Sequence, residues 1–247
     1  MKQVVRAVIL AAGRGTRLGD LTKTTPKPMI SVAGRPILQH IIERVARAGV
    51  REFVIVTRYL GHVIREFVGD GTRFGVRAVC VEQGEEYGTG AALQAAKPHT
   101  GDGPVMMTYG DIATPAVNYA GALASFSDLG CDAVITLNWV DDPYRGAAVY
   151  LDSDGKVSNI VEKPPRGRAT SHWNSAGIFV FTPVIFDYLD RLELSSRGEK
   201  ELPDALNSMI RDGLAVCPYY LQGGWLDIGR PEDVVAAERL FDEERAK

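Results

Sequence analysis

A chain of 247 residues, 45% hydrophobic and 24% charged, has the composition of a folded soluble protein, long enough for one large α/β domain or two small ones. Its formal net charge of −3 provides no global attraction for nucleic acid, so an anion site has to be built locally. No apolar run approaches the ~20 residues of a membrane span and no signal-peptide pattern opens the chain, so a cytoplasmic location is expected by default.

The first element is a strand. Ala7 to Leu10 are four apolar residues in a row, preceded by Val4 and Val5 across Arg6, which suits a central strand covered on both faces. A glycine-rich loop follows, with Gly13, Gly15 and Gly19 among Arg14, Thr16, Arg17, Lys23 and Lys27. Exposed backbone N–H groups and interleaved cations point to a polyphosphate. The glycine spacing has one residue too many for the dinucleotide fingerprint, and Leu18 breaks the Walker A pattern. Pro36 opens a helix whose apolar positions, Ile37, Leu38, Ile41, Ile42 and Val45, recur at helical spacing until Gly49. Strands are expected at Phe53 to Thr57, Val76 to Glu82 and Val105 to Tyr109, with helices at 61–68 and 88–97 between them. This alternation argues a doubly wound parallel sheet.

Beyond about residue 130 the texture changes. Strands are expected at Ala133 to Val140, Ala147 to Leu151 and Val157 to Val161, the last two joined by a turn at 152–155. A loop at 164–168 precedes a strand at Gly177 to Thr182, helices at about 183–191 and 201–212, strands at about 215–220 and 224–227, and a last helix from Pro231. The three cysteines, Cys80, Cys131 and Cys217, are far apart and not in CxxC spacing, so free buried thiols in a reducing compartment are expected rather than a metal cluster. His40, His62 and His99 show no ligand spacing and read as surface residues, and the Trp and Tyr residues read mostly as core.

Ligands of open α/β sheets sit beyond the carboxyl ends of the strands. Residues 11–27, Gln83 to Gly90, and Gly110 with Asp111 all fall there. Asp111 and Asp227 each stand at a strand end, where they are turn residues or ligands of a hard cation such as Mg²⁺.

The run Leu10 to Leu18 (LAAGRGTRL) followed by Pro26 to Met29 (PKPM) resembles the signature of the sugar-1-phosphate nucleotidyltransferases, or nucleotide-sugar pyrophosphorylases. The resemblance implies a Rossmann-like, doubly wound mixed sheet of the nucleotide-diphospho-sugar transferase type, in a single domain over 1–247. About 1–130 would be the nucleotide half and about 131–247 the sugar half. It implies Mg²⁺-dependent transfer of a nucleotidyl group from an NTP to a sugar 1-phosphate, with no nucleic-acid or membrane partner; a homo-oligomer stays open. By the same resemblance Leu10, Ala11, Ala12, Gly13, Gly15, Thr16, Gln83, Gly88 and Thr89 would hold the nucleotide, and Arg17 and Lys27 would act on its phosphates. Asp111 and Asp227 would hold the metal, with Asp111 catalytic, and Glu162, Lys163, Ser175 and Gly177 would hold the sugar phosphate. Gln83 and the Ala11–Ala12 pair favour UTP, with dTTP next.

Two departures from the family pattern lie on the sugar side. Asn174 is three residues before Gly177 instead of two, so Ser175 takes the asparagine position or the loop is shifted. Ala147 stands where relatives carry glycine, although a shift of one would bring in Gly146; His172 and Trp173 adjoin this pocket. Alternatives therefore remain: cytidylyl or guanylyl transfer to a phosphocholine-like or heptose-like acceptor, and a non-catalytic nucleotide-sugar-binding regulatory subunit. Because the sequence given stops soon after its last helix, a second activity such as an acetyltransferase is not expected.

Overall fold

The structure is a computed structural model and describes residues 4–245. Strand β1 (Arg6–Ala11) leads through 3₁₀ turns at Thr16–Thr22 and Lys27–Met29 to a small hairpin of β2 (Ser31–Val32) and β3 (Arg35–Pro36). Then come α1 (Ile37–Arg47), β4 (Glu52–Thr57), α2 (Gly61–Val68), β5 (Arg77–Glu82), α3 (Thr89–Ala95), β6 (Val105–Tyr109), β7 (Ile112–Ala113) and α4 (Val117–Leu129). The rest comprises β8 (Ala133–Trp139), β9 (Ala147–Leu151), β10 (Val157–Glu162), β11 (Trp173–Phe181), α5 (Ile185–Leu189), α6 (Leu202–Arg211), β12 (Val216–Tyr220), β13 (Leu226–Asp227) and α7 (Pro231–Arg245).

Strand β1 is central because both its faces are apolar. Ala7, Ile9 and Ala11 join the core under α1, and Val8 and Leu10 join the core on the opposite face with α3, α5 and α6. On one side β1 pairs in parallel with β4, which pairs with β5; on the other it pairs in parallel with β6. The carboxyl ends of these four strands form one edge. The sheet then turns antiparallel: β11 pairs with β6, β8 with β11, and β9 with both β10 and one residue of β11. A single nine-stranded mixed sheet thus runs through both halves of the chain.

Most expected elements are present, and the differences have physical causes. Helix α4 was not expected because its buried face is built from Asn118, Tyr119, Ala122 and Phe126, with no apolar stripe. Strand β11 begins at Trp173, four residues ahead of Gly177, because its first part pairs with β8. Strand β13 is only two residues long. Cys131 and Cys217 are not free thiols: they form a disulfide, Cα atoms 6.2 Å apart, because β12 lies beside β8 in a pairing that sequence spacing cannot reveal. Cys80 is free, and burial pushes its thiol up.

His40 is buried, not on the surface. Its Nε2 donates to the Val32 carbonyl (2.8 Å), Arg44 donates to its Nδ1 (3.2 Å), and its ring meets that of Phe241 of α7 in a tilted contact, centroids 4.4 Å apart. Arg44 in turn lies 4.0 Å from the centre of the Phe241 ring and pairs with Glu244 (2.5 Å). Glu244 also accepts from the Ala116 N–H (2.7 Å), so one carboxylate ties α7 to α1 and to the start of α4.

Burial pushes the Glu244 carboxyl up, but the Ala116 N–H and Arg44 outweigh it and hold the group below its usual 4.5. A depressed carboxylate stabilises the fold above its unfolded pKa and loses that contribution as pH falls through the folded value. Glu244→Gln should therefore lower the melting temperature at pH 7 by about 2–6 °C, the effect of about 1–2 kcal/mol on a chain of this size. The gap to the parent protein should close below about pH 4. Thermal melts of both proteins across pH 3–8 check this, and a gap unchanged at pH 3 would contradict it.

Candidate active site

The loop after β1 is shaped from within. Thr22 is buried and its hydroxyl is shared between the Gly15 (3.1 Å) and Gly19 (3.2 Å) carbonyls. Gly15 has φ +64°, and a Cβ on it would lie 3.0 Å from Lys27 Cβ, so glycine is required there on both counts. Tyr59, just after β4, holds the far end of the loop with its hydroxyl 3.1 Å from both the Thr22 and Lys23 carbonyls. Neither Thr22 nor Tyr59 stands out in the sequence, because the role of each is a hydroxyl bond to a backbone carbonyl that no residue pattern marks.

Past this loop the chain brings four charged groups together. Strand β6 ends beside β1, and Gly110 donates to the Leu10 carbonyl (2.9 Å), so Asp111 emerges just beyond Ala11. The pairing of β7 with β13 places Asp227 opposite Ile112, and the Ile228 N–H donates to the Asp111 carbonyl (2.9 Å). The two aspartates converge on Lys27, whose Nζ lies 2.5 Å from Asp111 and 3.1 Å from Asp227. Arg17 approaches Asp227 at 3.8 Å, across a face that Gly229 leaves open. Burial alone would lower the Lys27 pKa, but Asp111 and Asp227 together raise it, so its ammonium stays charged. Burial raises the Asp111 carboxyl, with Lys27 opposing.

Two carboxylate oxygens that reach one ammonium are also close enough to reach one divalent cation. Among the described residues no cluster of three or more His, Cys, Asp or Glu could hold a metal. A pair is nevertheless the donor set that suits Mg²⁺, which keeps waters and takes its remaining oxygens from phosphate.

A second charged group lies on the β9–β10 side. Glu162 ends β10, and its carboxylate is 3.7 Å from both Lys163 and Arg197. Burial pushes Glu162 up, and the two cations oppose this. Lys163 has φ +42°, a left-handed conformation rare for a lysine, fixed by its N–H donating to the Gly146 carbonyl (2.7 Å). Arg197 was not expected at the site. It is held by Glu201 (2.9 Å) and Glu199 (3.3 Å) in a loop with no periodicity to mark it. Tyr109 feels both charged groups: burial raises its phenol most, and Glu162, Asp111 and Asp227 each add to that.

The two positions that depart from the family pattern have definite surroundings in the fold. A Cβ on Gly146 would run into Asn174 Oδ1, so Gly146, not Ala147, is the close-approach glycine. The pairing of β11 with β8 shifts register between Ser175 and Phe179, around Gly177. Asn174 is buried and donates to Asn138 (2.9 Å), while the Ser175 hydroxyl is enclosed without a partner among the described residues. Gly177 has φ +82° and leaves room for the Tyr109 ring. His172 and Trp173 lie in an aromatic group with Trp139 and Tyr220, of which Trp139 is 60% exposed, so not every Trp is core.

Gln83 is buried and donates through Nε2 to the Glu86 (2.8 Å) and Gly88 (3.4 Å) carbonyls of its own loop. Gly88 and Gly90 are glycines because the backbone of Lys200 and Glu201 lies directly on them. The Thr89 hydroxyl accepts from the Leu202 N–H (3.0 Å) and so faces α6, which leaves its backbone for other partners.

A family model described as nucleotidyl transferase matches residues 6–244. The chain belongs to the nucleotidyl transferase family. It is 34% identical over 242 residues to the UTP–glucose-1-phosphate uridylyltransferase AglF of Haloferax volcanii, covering 97% of this chain and 98% of that protein. It is 33% identical over 244 residues to the low-salt glycan biosynthesis nucleotidyltransferase Agl11 of the same organism, covering 98% and 67%. The bifunctional protein GlmU of Methanococcus maripaludis matches at 34% identity over 95% of this chain, but the chain spans only 54% of its length. A crystal structure of UDP-glucose pyrophosphorylase complexed with UDP-glucose superposes with a TM-score of 0.87 over 98% of this chain and 100% of that one; at 20% identity it shows the shared fold. The relatives bear out the resemblance to sugar-1-phosphate nucleotidyltransferases.

In this nucleotidyltransferase the loop after β1 owes its shape to two hydroxyl groups. Tyr59→Phe and Thr22→Val should each leave the melting temperature nearly unchanged and lower kcat/KM for the nucleotide by about 2–10-fold, the loss of one neutral hydrogen bond. Initial rates at varied nucleotide check this. A fall in kcat/KM confined to the second substrate would show that these residues do not shape the nucleotide loop.

Proposed function

We propose that the protein transfers a uridylyl group from UTP, with dTTP as the next candidate, to a sugar 1-phosphate and releases pyrophosphate. The observation that carries this reading is the convergence of Lys27, Arg17, Asp111 and Asp227 beside the loop after β1. A separate cationic group, Lys163 and Arg197, gathers at Glu162, as an acceptor phosphate would require. The names of AglF and Agl11 agree with nucleotidyl transfer in sugar metabolism.

The reaction needs little covalent chemistry from the protein. A phosphate oxygen of the sugar phosphate attacks the α-phosphorus in line, and the bond to the β-phosphate bridging oxygen breaks. Catalysis is then positioning and charge stabilisation. The backbone of residues 11–16 cradles the triphosphate, and Arg17 and Lys27 stabilise the charge that grows on the departing pyrophosphate. Lys163 and Arg197 draw in the acceptor phosphate, and Glu162 accepts from sugar hydroxyls. Asp111 and Asp227 would hold Mg²⁺, which when bound neutralises α-phosphate charge and orients it. Gln83, with both its amide N–H bonds used internally, offers Oε1 to an N–H of the base. That selects an imide edge over cytosine or adenine, whose ring nitrogen at that position is an acceptor.

Pyrophosphate release should be fastest with UTP or dTTP among the common NTPs and should require a hexose 1-phosphate or a close analogue. The measurement is a coupled assay over a panel of nucleotides and phosphorylated acceptors. Turnover with CTP and phosphocholine instead, or none with any pair, would overturn this reading.

The two lysines should separate kinetically. Lys27→Ala should reduce turnover by about 10²–10³, because its charge acts on the transition state, and leave the sugar-phosphate KM nearly unchanged. Lys163→Ala should raise the sugar-phosphate KM by about 10–100-fold, because it removes binding present before reaction. Each profile is obtained with one substrate varied and the other saturating. Weakened nucleotide binding alone in Lys163→Ala would contradict the division.

A further inference from the structure

Two loops meet at Lys163: residues 140–146, between β8 and β9, and residues 163–172, between β10 and β11. Three contacts fasten them together. The Lys163 N–H donates to the Gly146 carbonyl (2.7 Å), and the Gly167 N–H donates to the Asp142 carboxylate (2.8 Å). The third is the Tyr144 ring, whose centre lies 5.3 Å from the Arg166 guanidinium across the gap and 5.2 Å from that of Arg145 in its own loop.

One ring thus gathers two like charges, which repel each other. Arg168 follows two residues after Arg166. All three arginines are exposed, and none has a carboxylate partner among the described residues. Lys163 included, the two loops carry four cations against two carboxylates, Asp141 and Asp142, and Asp142 is already engaged by Gly167. An uncompensated excess of positive charge is therefore fixed around Lys163, in a chain whose formal net charge is −3.

Such a chain repels an anion at long range, and groups that bind by contact act only once the anion has arrived. Fixed charges on the rim act further out, over about 30 Å at 10 mM ionic strength and about 8 Å at physiological strength. We propose that Arg145, Arg166 and Arg168 form an outer cationic collar that draws the acceptor's phosphate dianion towards Lys163, an assignment that rests on the proposed role of Lys163 on the acceptor side. The collar has no need to touch the bound phosphate, since it raises the concentration of the anion at the mouth of the site. Tyr144 and the Gly167–Asp142 bond keep its charges together against their repulsion. The nucleotide enters at the loop after β1 on this reading, so the collar serves the acceptor.

The test is the ionic-strength dependence of kcat/KM for glucose 1-phosphate, or whichever hexose 1-phosphate turns over fastest, on the full-length protein with UTP and Mg²⁺ saturating. The triple variant Arg145→Gln, Arg166→Gln, Arg168→Gln should lose about 5–20-fold at ~20 mM ionic strength, through KM with kcat unchanged, and only about 2-fold at ~0.5 M. Replacing the same three residues by Lys keeps the charge and should restore the parental profile. Arg239→Gln, on α7 and so on the other face of the sheet, is the control for one lost surface charge and should match the parent. If the triple variant does not fold, Arg168→Glu gives the same salt signature, because that side chain makes no hydrogen bond or ion pair among the described residues. A loss that stays constant at every salt concentration would make these arginines contacts or props and overturn the proposal, as would no loss at all. A parent protein that turns over no hexose 1-phosphate is a separate failure, that of the acceptor reading itself, and removes the collar with it.

Discussion

The Lys27 ammonium is the hinge of the structure. It is 8% exposed and bonded to two carboxylates, one of them 200 residues away in the chain. An ammonium in that setting is tolerated only with its partners in place; removal of one leaves a buried charge without compensation. The arrangement depends on the pairing of β7 with β13, four residues in all, which carries Asp227 back to Asp111 after the chain has built its second half. Helix α7 then secures it. Asp233 accepts from the Gly229 and Arg230 N–H groups (2.9 and 2.7 Å), so the chain just after Asp227 is fixed by the first turn of the helix. The Glu244–Arg44 pair at the other end of α7 docks that helix on α1. Stability at the far end of the last helix and geometry at the carboxylates are therefore mechanically connected.

The glycines near the site record the same closing of one half on the other. Gly88 and Gly90 lie under the backbone of residues 200 and 201, Gly146 under Asn174, and Gly177 against Tyr109. In each case the neighbour comes from a distant part of the chain, and a side chain at the glycine would keep the segments apart. Glycine in these motifs serves close packing of protein on protein at least as much as approach to a ligand. The segment 192–201 illustrates this: it bonds Tyr87 and Gly90 at the start of α3, and its Arg197 reaches Glu162 at the end of β10.

Local signals were legible in the sequence and long-range ones were not. The double-faced apolar run of β1, the apolar stripe of α1 and the glycine-rich loop read correctly because each depends on neighbours in sequence. The Asp111–Asp227 convergence came from motif resemblance, since no periodicity links residues so far apart. Helix α4 escaped because its buried face mixes Asn118 and Ala122 with Tyr119 and Phe126 and shows no apolar stripe. The Cys131–Cys217 bond, the buried His40 and the roles of Thr22, Tyr59 and Arg197 all depend on what the fold places opposite them. Position of a glycine can be misjudged by one residue for a related reason: only the side chain packed against it, here Asn174 on Gly146, marks which residue must be glycine.

Charge balance connects these features to the proposed chemistry. Lys27 between two carboxylates leaves one negative charge, and Arg17 at 3.8 Å from Asp227 offsets it, so the centre is close to neutral without substrate. Lys23 is already paired with Asp20 (2.7 Å). A nucleoside triphosphate brings about four negative charges to the same place. If Arg17 and Lys27 turn towards its phosphates, Asp111 and Asp227 lose their counter-charges, and two unpaired carboxylates near a polyphosphate repel it strongly at low dielectric. A divalent cation between the carboxylates and the phosphate removes that conflict, whereas the lysine alone would have to serve both. The chain's own electrostatics thus favour a metal with the nucleotide, and they do so through the two carboxylates that Lys27 holds together.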